Sequence, residues 1–152
     1  MSGLYRRLAY CDSMNTMYET FEHTADLGLR IRAANLNALF VEAAEALFSV
    51  IVEDLGTVDP RRQIDVQLAG DERDYLLFDW LKELLYHFDS EHTLFGRFEV
   101  QVDANGLKGA AWGEPLERTR HTLLHEVKAI TYHGLRVEQT SDGWIAEVIV
   151  DI

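Results

Sequence analysis

The chain has 152 residues, 47% of them apolar, with ten glycines and two prolines, a composition for one compact domain. A chain of this length buries roughly 70% of the surface that its unfolded form exposes, so it needs no staple of disulfides or metal. Fourteen basic residues against twenty-six acidic ones give a formal charge of −12, and only Arg6-Arg7 and Arg61-Arg62 are adjacent cations, which sets the chain against direct binding to a phosphate backbone.

An acidic surface suits a basic protein partner or bound cations, or serves solubility alone. The single cysteine, Cys11, has no second thiol to pair with, which points to a reducing, cytoplasmic compartment. No run of about twenty apolar residues is present to span a membrane.

Residues 1–16 hold two arginines but lack the apolar centre of a signal peptide, and Gly3 lies one place too late for an N-myristoyl signal. They are taken as a flexible N-terminal extension preceding a single domain at 17–152. From Met17 to His23 the residues look extended. Leu27, Leu29, Ile31 and Ala33 then alternate with Gly28, Arg30 and Arg32, as in a strand with one buried face. His23-Thr24-Ala25-Asp26 falls where the two meet and reads as a turn or bend.

Leu36, Leu39, Phe40, Ala43, Ala44, Leu47, Phe48 and Ile51 follow helical spacing. Asn35 is placed to cap this helix, and Glu42, Glu45 and Ser49 are expected on its far side. Gly56, Asp59 and Pro60 break the chain, and Ile64, Val66 and Leu68 alternate with polar residues as a second half-exposed strand. Leu77, Leu81, Leu84, Leu85 and Phe88 form the stripe of a second helix, with Asp71 or Asp74 as its cap and Asp79, Lys82 and Glu83 opposite.

Phe98, Val100 and Val102 form the next strand, and Asp103-Ala104-Asn105-Gly106 carries hairpin turn chemistry into Leu107 to Trp112. The stretch Glu126 to Glu138 is rich in β-branched and aromatic residues, and Ser141-Asp142-Gly143 turns it back into Trp144 to Ile152 as an antiparallel pair. Strands that follow one another more often than they alternate with helices imply an α+β class: two helices packed on a mostly antiparallel or mixed sheet.

Chemistry is confined to a few positions. On the last strand Ile145, Glu147, Ile149 and Asp151 share one face, which places Asp151 at the rim. By composition alone it is either an edge carboxylate meeting solvent or part of a cluster. With Asp26 beside it and the main-chain carboxylate of Ile152 nearby, such a cluster needs a proton or a hard cation, and all-oxygen ligands favour calcium or magnesium over zinc.

His121 and His125 are spaced i, i+4, which on a helix would give one face, but the glutamate of an HExxH site is missing between them. His87 and His92 read as surface or helix-end residues. No phosphate-binding loop, dinucleotide fingerprint or G-x-S-x-G elbow occurs. Lys128, Ile130 and Tyr132 share one side of an extended segment, where Lys128 is either a snorkelling edge residue or a functional cation.

Taken together, HTADLGLRI at 23–31, DWLKELLYHFD at 79–89, EVKAITYHGLRV at 126–137 and the closing GWIAEVIVDI resemble the archease family, in order from about Met17 to Ile152. The resemblance implies a small α+β protein, not itself an enzyme, that activates the GTP-dependent RNA ligase joining 3′-phosphate or 2′,3′-cyclic phosphate ends to 5′-hydroxyl ends in tRNA splicing and RNA repair. It would promote guanylylation of the ligase and its multiple turnover, without direct nucleic-acid binding.

The same resemblance assigns a divalent metal, calcium before magnesium, to Asp26, Asp151 and Ile152, the last through its carboxylate or main-chain oxygen. It assigns partner activation to Lys128, His23 and His133. Other classes to set against it are a general chaperone or solubility modulator for nucleic-acid-processing proteins and a metal-dependent phosphohydrolase, for which no base or nucleophile is evident.

Overall fold

In the computed structural model of the chain the described residues are 7–11, 16–23 and 26–152, with side chains described for 17–20 and 26–152. The elements in order are β1 (Arg7–Cys11), β2 (Thr16–His23), β3 (Asp26–Ala33), α1 (Leu36–Ile51), a 3-10 turn (Leu55–Thr57), β4 (Arg62–Ala69), α2 (Arg73–Glu91), β5 (Thr93–Asp103), β6 (Gly106–Pro115), β7 (Ala129–Ile130), β8 (Arg136–Thr140) and β9 (Gly143–Asp151). Most of the extension set apart at 1–16, and the Thr24-Ala25 centre of the expected bend, lie outside the described residues. Within the former, Arg7–Cys11 pairs with β2.

The class is α+β, with two helices and antiparallel strands, but the strands divide into two sheets. One runs β1-β2-β3-β9, with β7 and β8 following one another along the far edge of β9; the other runs β4-β6-β5. The division has its cause in α1. Phe40, Ala43, Ala44, Ala46, Leu47, Phe48 and Ile51 are all fully buried, and a helix apolar over more than half of its circumference needs cover on more than one side. The large sheet covers it through β2, β3 and β9, and the small sheet through β5.

Asn35 caps α1 as expected, its Oδ1 accepting the Ala38 N–H at 2.8 Å. The expected polar far side is corrected at two positions: Glu42 and Ser49 are buried, and the side of α1 that meets water is the narrower one carrying exposed Asn37 and half-buried Ala38, Val41 and Glu45. Ser49 Oγ satisfies itself on the Ala46 carbonyl at 2.8 Å. Burial, then the neighbouring Glu42 charge and a hydrogen bond to it, push the Glu45 carboxyl up to about 7.

Helix α2 begins at Arg73, after Glu72, so neither Asp71 nor Asp74 occupies the cap position; Asp74 instead accepts the Tyr75 N–H from within the first turn. His92 ends the helix with φ 55°, as a helix-end residue. Trp80, fully buried, ties the helices together by donating Nε1–H to the Phe40 carbonyl at 3.1 Å.

A second buried polar device clamps the loop after α1. Glu114, wholly buried at the end of β6, accepts Arg120 Nη2–H at 2.7 Å on Oε1. Its Oε2 accepts the Asp59 N–H at 2.8 Å and His121 Nε2–H at 3.0 Å. The Glu117 N–H donates to His121 Nδ1 at 2.9 Å, which fixes the ring proton on Nε2. The spacing of His121 and His125 therefore assembles no pair: the chain between them is not helical, His121 belongs to the clamp, and His125 is exposed.

The Arg120 hydrogen bond, outweighing burial and aided by Asp59 and His121, holds the Glu114 carboxyl down at about 2. Its folded value is depressed, so the clamp's contribution is complete above the unfolded value of 4.5 and is lost as pH falls through about 2. Glu114→Ala takes the carboxylate acceptor from the Asp59 N–H and from His121 Nε2–H, while Arg120 keeps Glu117 and the Thr57 carbonyl, and should cost roughly 1–3 kcal/mol in urea unfolding at neutral pH. Glu45 carries the opposite sign. Its folded value is raised, so its contribution is complete below 4.5 and lost as pH rises through about 7. Glu45→Gln should accordingly raise the melting temperature at about pH 8, with the gain vanishing as pH falls to the unfolded carboxylate range.

Candidate functional site

Leu27, Leu29 and Ile31 of β3 and Ala146, Val148 and Val150 of β9 point into the core, which turns Arg30, Asp26, Glu147 and Asp151 to the opposite face of the large sheet. There Glu19, Arg30, Glu147 and Arg136 stand opposite one another across β2, β3, β9 and β8. Arg30 donates Nε–H to Glu147 at 2.6 Å and Nη1–H to Glu19 at 3.2 Å. Arg136 donates Nε–H to the other Glu147 oxygen at 3.2 Å and Nη1–H to Glu138 at 2.7 Å.

Burial alone would raise the Glu147 carboxyl, but the two guanidinium groups outweigh it and hold it below the ordinary carboxylate range. A one-residue slip between β3 and β9 would send every one of these side chains to the wrong face, so the ladder and the apolar row beneath it enforce the same register.

Four positions further along, the register sets His23, Asp26, Asp151 and Ala129 in a second row across β2, β3, β9 and β7. Asp26 and Asp151 are half-buried and directly opposed, two like charges across one strand pair, an arrangement that destabilises a sheet. Ile152 follows, its half-buried side chain packed on the core.

The Lys128 N–H donates to the Asp151 carbonyl at 2.7 Å, so the exposed Lys128 side chain starts beside the acidic pair. His23 joins the row by its backbone. His133 does not: Thr131 bonds the Ile149 carbonyl through both N–H and Oγ1, so the chain leads away from Asp151 before reaching the exposed His133.

The segment reaching Lys128 is strapped down throughout. His121 sits in the buried clamp, the Glu53 N–H bonds the Thr122 carbonyl, and the Leu124 and His125 N–H groups bond the Ile51 and Val50 carbonyls. Sequence reasoning missed both the ladder and this strap. Alternation placed Arg30 and Glu147 on their faces, but pairing partners depend on register, which no local pattern reveals.

Among the described residues no three His, Cys, Asp or Glu side chains gather as a metal-holding group. Among the described residues the side-chain oxygens of the row are those of the two carboxylates, and Ile152 adds main-chain oxygens next to Asp151. An all-oxygen set of that kind fits a hard cation that retains waters.

The model of the Archease protein family matches residues 18–152. Protein archease of Sulfurisphaera tokodaii is 39% identical over 137 residues, which cover 89% of this chain and 98% of the relative. Protein archease of Pyrococcus furiosus is 39% identical over 140 residues, with 89% and 98% covered. The solution structure of Methanobacterium thermoautotrophicum protein 1598 matches with a TM-score of 0.79 at 34% identity, over 89% of this chain and 98% of that one.

The opposed carboxylates make a measurable demand. In chelator-treated buffer Asp26→Asn should stabilise the fold by about 0.2–1 kcal/mol, because it removes one of two like charges directly across a strand pair. Urea unfolding at neutral pH reads this directly.

Proposed function

The chain belongs to the archease family, and from that premise we propose that it activates the RNA ligase that joins 3′-phosphate and 5′-hydroxyl ends, promoting guanylylation of the ligase and its repeated turnover in tRNA splicing and RNA repair. The observation that carries this reading is the row in which Asp26 faces Asp151 while Lys128 is tied to Asp151 through its backbone. It joins residues 26, 128 and 151 in one acidic tip on a sheet whose register is fixed by buried and ionic contacts alike.

In this proposal Asp26, Asp151 and a main-chain oxygen of Ile152 hold a divalent cation, calcium before magnesium. When bound, the cation would neutralise the facing carboxylates and present positive charge to phosphate oxygens. The chain's own groups do the remainder. The ion ladder keeps the tip stiff, so little ordering is lost on docking. The formal charge of −12 speeds encounter with a basic ligase surface in the cytoplasm. Lys128, exposed at the rim, supplies a cation to the nucleotide or to an acidic group of the ligase. His23 stands in the same row, and His133 lies beyond it on the β7 to β8 connection.

A guanylylation assay with labelled GTP, ligase and substoichiometric amounts of this protein tests the reading. Asp26→Ala and Asp151→Ala should each abolish stimulation while leaving cooperative unfolding intact, and residues appended after Ile152 should impair it. Lys128→Ala should weaken stimulation without changing affinity for calcium. Full stimulation by Asp151→Ala would overturn the tip.

A further inference from the structure

Tyr132 and Tyr75 are exposed, at 58% and 50%, yet both rings are held in place. Tyr132, in the connection from β7 to β8, stacks on Phe78 of α2 with ring centroids 3.9 Å apart and planes 15° from parallel. Phe78 is itself buried, so the Tyr132 ring lies flat on the core. Tyr75, one turn earlier on α2, meets the Tyr132 ring edge-on at 5.9 Å and 70°. Together they form a shelf of ordered aromatic surface facing water, the residue type and rigidity that binding hot spots favour.

The shelf is set in an acidic surround. Residues 71–83 carry Asp71, Glu72, Asp74, Asp79 and Glu83 against Arg73 and Lys82. The two cations are already engaged with rings, Arg73 over Trp144 at 5.2 Å and Lys82 over Phe78 at 5.9 Å. Asp79 lies one helical turn after Tyr75 on the same face of α2, and Asp71 is exposed in the bend just before the helix.

We infer that this shelf docks an arginine- or lysine-bearing segment of the protein partner, its cation lying over the tyrosine rings and its charge answered by Asp71, Asp74 and Asp79. Aromatic faces attract cations, and guanidinium above all. Phosphate backbones are repelled by the same carboxylates, and a second copy of this chain brings the same negative charge. Identifying the partner as the RNA ligase rests on the function proposed above.

Position supports it: Tyr132 lies four residues from Lys128, within about 13 Å even if the chain is fully extended, so one partner surface would cover shelf and tip together. The shelf supplies affinity, and the tip acts on the bound partner.

Binding to purified ligase by calorimetry, with guanylylation measured across a titration of this protein, separates the two roles. Tyr75→Ala, Tyr132→Ala and the charge reversal Asp74→Lys with Asp79→Lys, which leaves the rings in place, should each weaken binding roughly tenfold. Each should raise the half-maximal concentration for stimulation by the same factor, with maximal stimulation retained at saturation. Asp26→Ala should do the reverse, losing maximal stimulation while it still binds.

Unchanged binding and half-maximal concentration in the ring and charge variants, alongside a wild type that stimulates, would overturn the shelf alone. A wild type that neither binds nor stimulates the ligase would overturn the proposed function and the ligase as occupant together. A dimer seen in sedimentation and dissolved by Tyr75→Ala would assign the shelf to a second copy and overturn the inference.

Discussion

The pairing of β3 with β9 is the constraint from which the rest of the molecule follows. Eight residue pairs, from Asp26 with Asp151 to Ala33 with Trp144, join the two strands at the middle of the large sheet. Leu29, Ile31, Ala146 and Val148 have no exposure at all on the inner side, and Arg30 and Glu147 meet on the outer side. Neither contact set tolerates a slip, since a shift of one residue would bury the charges and expose the aliphatics. The opposition of two aspartates at the sheet's end is thus imposed by packing and ion pairs well away from them.

The second constraint is the placement of α1 between the sheets. It explains why carboxyl groups become buried: with cover on several sides, Glu42 has no route to bulk water, and Glu45 titrates against it. It also explains the strap over the end of α1, where the backbone of residues 122–125 satisfies the groups that the helix terminus leaves open. Glu114 anchors the beginning of that strap with a carboxylate, a guanidinium, an imidazole and a backbone amide, all with partners, the condition under which a buried charge is tolerable.

Much of this was legible in the residues. Period-two alternation at 27–33 and 144–151 located the central strands and assigned Asp151 to the rim, and Asn35 marked the helix start. Asp103 to Gly106 marked the β5–β6 turn, where Gly106 adopts φ 154°. What stayed hidden depends on partners remote in sequence. The run from Glu126 to Glu138 has strand composition throughout, but its chain turns after Ile130, with Gly134 at φ 63°, and pairs with β9 in two short pieces. Glu42 looked solvent-facing because the helical pattern shows which side is apolar but not how many sheets cover it. From the residues alone the meeting of Asp26 and Asp151 is one of two open alternatives; register supplies the physical reason for it.

The joining of β3 to β9 also sets the order of events as the chain acquires its shape. Arg30 and Glu147 are 117 residues apart, so β3 has no β9 to pair with until the segments holding both helices and the small sheet have been made. During synthesis that interval leaves an apolar strand unprotected against other nascent chains. The charge of Arg30 and Arg32 along its outer face is then a safeguard before it is a fastening, deterring premature annealing until β9 emerges to close the gap.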